Sequence, residues 1–171
     1  MTDLGLRSSI HSKISMKTEL ILVGKTVDKH LKALLDEYAA RIPHYMPFDI
    51  RVIPELKNTK SMSEAQQKER EGELILKSLQ PSDTVILMDE HGKEYRSIEF
   101  ASWMQHCQSI ARKLVFVIGG PYGFSDAVYA RANGKISLSK MTFSHQMVRV
   151  IFAEQIYRAC TIIKGEPYHH E

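Results

Sequence analysis

Residues 134–171, GKISLSKMTFSHQMVRVIFAEQIYRACTIIKGEPYHHE, carry the patterns that decide the fold of this chain. A short strand pattern at 135–138 leads into a polar loop at 139–144, and apolar residues then recur at helical spacing from Met147 to Ile163. This apolar stripe is too wide to pack on one side only. We therefore expect the helix either to be fully buried or to form part of a subunit interface as well.

An aromatic and histidine-rich tail follows this helix. Gly165 is expected to end the helix, because glycine readily adopts the left-handed conformation found at helix C-termini. Tyr168 and His169 come directly after the rigid Pro167. Adjacent histidines have poor spacing for one metal ion, and we predict no metal site. We expect the tail instead to reach into a pocket, of this chain or of a neighbour.

Strand and helix patterns alternate along the preceding part of the chain. Apolar runs or alternating patterns predict strands at 20–23, 48–53, 84–88 and 114–118. Amphipathic or capped patterns predict helices at 28–42, 63–79, 97–111 and 125–132. Continuous apolar strands are typical of a parallel sheet covered on both faces. The chain is therefore predicted to have an α/β fold with a mainly parallel sheet flanked by helices.

The bulk composition fits a single domain. With 171 residues, of which 43% are hydrophobic, the chain can bury one ordinary core. We assign residues 16–171 to this domain and predict that residues 1–15, which have no strong period, form a disordered leader. A net charge of +3 and a pI of about 8.8 permit an anionic partner without demanding one.

The cysteines and the hydropathy indicate a cytoplasmic protein that does not contact a membrane. Cys107 and Cys160 lie in helix patterns without metal-type spacing, which favours reduced, packed thiols. No apolar run approaches the ~18 residues that span a bilayer. The first fifteen residues lack the hydrophobic segment of a secretory signal.

Three loops are predicted to meet at one edge of the sheet, at 88–92, 119–123 and 139–144. Ligands of open α/β sheets bind outside the carboxyl ends of the strands, where such loops converge. Gly119 and Gly120 allow close approach of the backbone to a ligand, although a tight strand-to-helix turn would explain them too. Neither a Walker A loop nor a GxGxxG motif is present, so a triphosphate or dinucleotide site is weakly supported.

Three segments, FVIGGPYG at 116–123, SLSKMTFSHQMVRVIFAEQIYRA at 137–159 and GEPYHHE at 165–171, closely resemble one protein family. They are similar to the RlmH-type ribosomal RNA pseudouridine-N3 methyltransferases, small members of the SPOUT class. The resemblance extends from about residue 16 to the last residue. It implies a SPOUT fold with a deep trefoil knot near the C-terminus, an obligate homodimer, and S-adenosylmethionine held in the loops of the knot.

The resemblance also implies which residues hold S-adenosylmethionine. These are Leu87, Met88, Gly119, Gly120, Ser139, Lys140, Met141, Thr142, Phe143 and Ser144. Family members commonly carry Leu at Met88, a change that conserves volume, and often Pro at Ser144, a change that loosens the loop but leaves its backbone contacts. His170 stands where Arg or Lys is usual. This change weakens a phosphate contact at neutral pH, where an ordinary histidine is largely uncharged.

The implied reaction is methylation of N3 of a pseudouridine in large-subunit ribosomal RNA. It requires alignment of nucleophile, methyl carbon and sulfur, and loss of the N3 proton. We expect His169 to act as the base or as a cationic stabiliser, and Tyr168 to position the substrate. The residues expected to face RNA are Lys140, Arg149, Arg158 and His170. The modest net charge favours an assembled ribosomal particle over free RNA as substrate.

Alternative interpretations stay open for several of these residues. Arg149 and Arg158 are about as well explained by structural ion pairs, and Glu154 precedes Arg158 by four residues, a favourable helical spacing. Ser144 or Thr142 could simply cap the last helix. The balanced charges of the helix at 63–79 indicate a solvated face rather than an RNA platform. At the level of function, a non-catalytic ribosome assembly factor and a SPOUT enzyme acting on transfer RNA are the competing hypotheses.

Overall fold

The computed structural model describes residues 16–170, in which strands and helices alternate from one end to the other. The strands are β1 (Lys17–Val23), β2 (Phe48–Ile53), β3 (Thr84–Glu94), β4 (Lys113–Ile118) and β5 (Gly134–Ser137). The helices are α1 (Lys29–Arg41), α2 (Glu64–Lys77), α3 (Ser97–Ile110), α4 (Asp126–Arg131) and α5 (Met147–Lys164). Short 3₁₀ turns occupy Ile42–His44 and Thr59–Ser61. The predicted leader, residues 1–15, lies outside the described residues.

All strand pairs in the sheet are parallel, and the strand order is β2-β1-β4-β3-β5. This confirms the predicted α/β class. Side chains of β4 alternate between two cores: Phe116 packs with α1, α3 and α5 on one face, and Val117 packs with α2 and α4 on the other. The central strands are thus covered on both faces, which explains their continuous apolar sequences.

Local signals located most helix ends correctly. Ser63 and Gln66 form the predicted capping box of α2, and the Ser125 side chain caps α4. Ser97 opens the helix predicted at 97–111 and could serve as its N-cap, but the structure places Ser97 inside α3. Arg96 occupies the N-cap position, and its backbone N–H donates to a Glu99 carboxylate oxygen at 2.8 Å. The acidic residue in the first turn, rather than a hydroxyl before it, satisfies this helix end.

Strand β3 runs further than the sequence predicts. The expected turn at 89–93 is an irregularity within the strand, because the pairing with β5 shifts register between Met88 and Lys93. Residues 89–92 consequently bulge out of the pairing with β5. This bulge is the first of the three loops at the carboxyl ends of the strands.

The segment between β5 and α5 crosses the carboxyl ends of the sheet. It leaves the edge strand β5 and brings Gln146 to the exit of β1, where the Gln146 amide accepts from Val27 N–H at 2.8 Å and donates to the Lys25 carbonyl at 3.1 Å. The trefoil knot implied by the resemblance stays a prediction. Within residues 16–170, none of the helices has the length and apolar character that a bilayer crossing requires.

Candidate functional site

A cavity of about 670 Å³ opens at the carboxyl edge of the sheet. The loops at 88–92, 119–123 and 139–144 all contribute to its wall, as the sequence predicts. They meet because β3, β4 and β5 are parallel and adjacent, so that their carboxyl ends lie side by side. A cavity of this size is typical of sites for small molecules and cofactors.

Glu71 of α2 holds the glycine loop in place. The Gly120 N–H donates to Glu71 Oε1 at 2.9 Å, and a Cβ added at Gly120 would lie 2.6 Å from Glu71 Oε2. Burial raises the pKa of Glu71, although the hydrogen bond from Gly120 acts in the opposite direction. Because the amide of Gly120 is engaged, this residue can offer a ligand only its carbonyl oxygen and its bare Cα face.

Tyr129 of α4 anchors the bulge at 89–92. Its hydroxyl donates to the Asp89 carboxylate, and the backbone N–H of His91 donates to the same group at 2.8 Å. Burial alone would raise the pKa of Asp89, but these hydrogen bonds outweigh it and leave the pKa lowered. Burial and the bond to Asp89 raise the pKa of Tyr129 to about 12. Asp89 is therefore an ionised and well-held wall of the cavity at neutral pH.

Serine hydroxyls shape the loop at 139–144. The Ser137 hydroxyl donates to the Ser139 carbonyl at 2.9 Å, and Ser139 Oγ accepts from Met141 N–H at 3.0 Å. Ser144 Oγ accepts from Met147 N–H at 3.1 Å, so Ser144 satisfies the first turn of α5 while it also lines the cavity. The capping interpretation of Ser144 and its predicted place in the site are thus compatible.

The charges of the cavity wall suit a cationic ligand. Asp89, Glu90 and Asp126 line it against a single lysine, Lys68. S-adenosylmethionine carries a sulfonium and an ammonium group against one carboxylate, and its net positive charge complements this wall. Lys68 was missed by sequence reasoning, because α2 has nearly balanced charges and only the packing of α2 beside the glycine loop brings Lys68 to the cavity.

The structure brings together most of the residues predicted to hold the cofactor. Those lining the cavity are Met88, Gly119, Gly120, Ser139, Met141, Thr142, Phe143 and Ser144. Leu87 does not line it, because its side chain is buried on the α2 and α4 side of the sheet. Lys140 is exposed and is not among the residues that line the cavity.

Tyr168 and His169 lie at the far end of α5 from the cavity. The Tyr168 hydroxyl donates to Glu154 Oε1 at 3.1 Å, and its ring packs 4.8 Å from that of Tyr157. Burial raises the pKa of Tyr168. Val148 lines the cavity, and ten residues of helix, about 15 Å, separate it from Arg158 beside the tail. The tail therefore does not reach the cavity of its own chain.

The four residues predicted to face RNA divide into two pairs. Lys140 and His170 are exposed. Arg149 is fully buried, and it donates to the carbonyls of Val23 and Gly24 at 2.6 and 2.9 Å. Burial lowers its pKa. Its placement corresponds to the structural alternative, with backbone carbonyls in place of an ion-pair partner.

Arg158 is the second arginine whose donors are engaged within the chain. Its Nη2 donates to Glu154 Oε1 at 2.5 Å, which is the helical pair that the spacing indicates. Its guanidinium carbon lies 4.9 Å from the centre of the Tyr168 ring. About a quarter of the side chain is accessible to solvent, 24%. Arg158 thus belongs to the cluster that holds the tail.

Comparisons with known proteins agree with this architecture. A family model described as "Predicted SPOUT methyltransferase" matches residues 16–169. A protein of Bacteroides fragilis named "Ribosomal RNA large subunit methyltransferase H" is 62% identical over 157 residues, which are 91% of this chain and 100% of the relative. A Flavobacterium psychrophilum protein of the same name is 55% identical over 157 residues, with the same coverage.

A solved structure described as a probable methyltransferase from Bordetella pertussis has a similar fold. The superposition has a TM-score of 0.52 and covers 86% of this chain and 96% of the other, at 10% sequence identity. At that identity the likeness concerns the fold alone.

Proposed function

Because this chain belongs to the SPOUT methyltransferase family, we propose that it transfers a methyl group from S-adenosylmethionine to N3 of a pseudouridine in large-subunit ribosomal RNA. The observation that carries the proposal is the cavity at the carboxyl edge of the sheet, because two of its three loops, 119–123 and 139–144, lie in the segments that carry the family resemblance. The names of relatives at 55–62% identity support ribosomal RNA as the substrate. The choice of N3 of a pseudouridine rests on the resemblance of the tail and loops.

S-adenosylmethionine, when bound, supplies an activated methyl group on its sulfonium, so the chain mainly has to orient the two reactants. We assign its binding to Met88, Gly120 and the loop at 139–144. The apolar Met88 and Phe143 suit the adenine or methionine portion, and Asp89 suits a positively charged group. Leu87 would act indirectly, by supporting the strand that carries Met88.

The tail residues Tyr168 and His169 are proposed to act in the cavity of a second copy of the chain. The distance of about 15 Å along α5 within one chain supports this arrangement. Exposed apolar side chains near the starts of α1 and α5, Val27 at 81% and Met147 at 42%, support a homodimer. In a two-fold dimer each cavity would receive the tail of the other protomer.

Lys140 and His170 are the proposed RNA contacts on the exposed surface. Lys140 sits on a cavity loop, so it can bind a phosphate of the RNA beside the target nucleotide. Arg149 is left out of this set, because its donors are used inside the chain. Because the net charge is only +3, we propose that binding relies on shape and that the assembled ribosome is the substrate.

Mass spectrometry of ribosomal RNA tests the proposed reaction. RNA from cells lacking this protein should have lost one methyl group from a pseudouridine of the large-subunit RNA, and purified protein with labelled S-adenosylmethionine should restore it on ribosomes. Unchanged ribosomal RNA, with a methyl group missing from transfer RNA instead, would support the transfer RNA alternative. Failure of the pure protein to bind S-adenosylmethionine would favour the non-catalytic assembly factor.

Mixing two inactive variants tests the exchange of tails. Gly120→Val is expected to block the cavity and His169→Ala to disable the tail. Random exchange of subunits would produce about half heterodimers, each with one intact site, and hence about a quarter of the wild-type rate. No recovery of activity in the mixture would contradict action of the tail in a second copy.

A further inference from the structure

Lys68 of α2 stands apart among the residues that line the cavity at the carboxyl edge of the sheet. Within residues 16–170 it is the only Lys or Arg of that wall, against three carboxylates. Its side chain is partly buried and makes no hydrogen bond or ion pair with the described part of the chain. The N–H donors of its ammonium group are therefore free to bind a ligand in the cavity.

Asp126 of α4 lies at the same end of the cavity as Lys68. Gly72 is four residues after Lys68, and residues four apart share one face of a helix. A Cβ added at Gly72 would lie 2.3 Å from Ser125 Oγ, so α2 and α4 touch at this point. Asp126 directly follows Ser125 in the first turn of α4, and it also lines the cavity. One ammonium and one carboxylate thus meet the cavity where α2 packs against α4.

The other end of the cavity is apolar. Met88, Leu138 and Val148 line it there and pack against the core beneath α1, α3 and α5. Helices α2 and α4 cover the opposite face of the sheet. The cavity therefore runs over the carboxyl ends of the strands from an apolar end on one face to a charged end on the other.

We propose that Lys68 and Asp126 bind the amino-acid end of S-adenosylmethionine, Lys68 through the carboxylate of the ligand and Asp126 through its ammonium group. This inference rests on the proposed function. Each charge of the amino-acid end then has a partner of opposite sign, and charge-assisted hydrogen bonds of this kind are among the stronger polar contacts. The adenosine portion lies at the apolar end, beside Met88.

The charges around Lys68 favour an amino acid over a phosphate group of the RNA. A phosphate bound to Lys68 would also face Asp126 and the two carboxylates of the bulge, Asp89 and Glu90. Like charges brought together in a partly dehydrated cavity repel each other. An amino acid avoids this conflict, because its ammonium group sits on the same carbon atom as its carboxylate.

Calorimetry with two ligands tests the role of Lys68 without any methyl transfer. Decarboxylated S-adenosylmethionine keeps the adenosine, the sulfonium and the ammonium group but lacks the carboxylate. Lys68→Met removes the charge and keeps an apolar stem. We expect this variant to bind S-adenosylmethionine about tenfold more weakly than the wild type, and the decarboxylated ligand no more weakly. Equal weakening of both ligands, or of neither, would overturn the assignment.

Lys77→Met is the matched control on the same helix. Lys77 is exposed in the last turn of α2 and does not line the cavity, so this variant should bind both ligands as the wild type does. A tenfold loss of S-adenosylmethionine affinity in Lys77→Met would indicate a general effect of charge and would contradict a direct contact with Lys68. Retained binding of the decarboxylated ligand shows in addition that Lys68→Met is folded.

Asp126→Asn tests the contact with the ammonium group. Both S-adenosylmethionine and its decarboxylated form carry this group, and we expect each to bind about threefold more weakly, since Asp126 is exposed. 5′-Methylthioadenosine lacks the amino-acid end and should bind as it does to the wild type. A loss shared by all three ligands, or no loss with any of them, would overturn the role of Asp126.

Failure of this inference differs from failure of the proposed function. If the wild-type protein does not bind S-adenosylmethionine, the proposed function fails. If Lys68→Met binds S-adenosylmethionine like the wild type but needs more ribosomes for half-maximal methylation, Lys68 contacts RNA. In that case the proposed function stands and only the assignment of Lys68 is overturned.

Discussion

The Arg149→Ala variant is expected to lose about 2–4 kcal/mol of unfolding free energy. Arg149 is 0% exposed and donates to two buried carbonyls at the end of β1, those of Val23 and Gly24. Each buried acceptor left without a donor costs about 1–3 kcal/mol. The alanine variant no longer has to desolvate the guanidinium on folding, and this gain offsets part of the loss from the two unpaired carbonyls.

Equilibrium unfolding in urea at a fixed protein concentration measures this loss, and thermal unfolding provides a second reading. For a chain of this size, the expected loss corresponds to a melting temperature lower by about 5–15 °C. Arg149→Lys keeps the charge but offers fewer correctly placed donors, so we expect an intermediate loss of about 1–2 kcal/mol. Arg112→Ala, at an exposed arginine, should stay within about 0.5 kcal/mol of the wild type.

An RNA-binding role for Arg149 predicts the opposite pattern. Arg149→Ala would then unfold like the wild type, while its binding to ribosomal RNA would weaken and show a smaller dependence on salt. Wild-type stability of both Arg149 variants would refute our account of the buried guanidinium.

Three further predictions concern the cavity and the tail. Glu71→Ala frees the glycine loop and should weaken S-adenosylmethionine binding about tenfold in calorimetry. Glu71→Gln keeps an acceptor for Gly120 N–H and should change the affinity less than threefold. Equal losses of affinity in the two variants would contradict this role of Glu71. Tyr129→Phe should lower the free energy of unfolding by about 1 kcal/mol at pH 7. The pKa of Asp89 is lower in the folded than in the unfolded chain, so the ionised carboxylate contributes its full stabilisation above the unfolded carboxyl pKa, about pH 4. This stabilisation is lost as the pH falls through the folded pKa. The stability difference between Tyr129→Phe and the wild type should therefore shrink in unfolding curves measured in acid. A deficit independent of pH would argue against Asp89 as the origin. Tyr45→Phe removes the hydrogen bond to Glu166 and should speed hydrogen exchange at residues 165–170. Exchange in the sheet should stay unchanged. Protection of the tail as strong as in the wild type would show that other contacts hold it.

Local sequence patterns predicted the elements and the place of the cavity. The strands of the sheet are apolar because both faces are covered, and the capping box at Ser63 and Gln66 depends on residues three apart in the chain. The three loops could be placed at one edge because the carboxyl ends of parallel strands lie together. These features depend on near neighbours in sequence or on general rules of α/β folds.

The same patterns could not indicate which way the charged side chains point. Arg149 lies in an apolar stripe, and its partners at β1 are more than 120 positions away in the chain. Lys68 appears as one of many balanced charges on α2 until the helix packs beside the glycine loop. For these residues the sequence shows the charge but does not show which groups surround it.

The sequence by itself determined the α/β class, the order of the elements, the loops that form the cavity and, through its resemblance, the family. Only the tertiary structure decided that Arg149 donates to backbone carbonyls at the end of β1, that Glu71 holds Gly120, and that Arg158 contacts His169 at a distance from the cavity. The physical reason is that helix and strand formation depend on short-range periodicity. A hydrogen-bond partner or a separation of about 15 Å depends instead on how distant segments pack against each other.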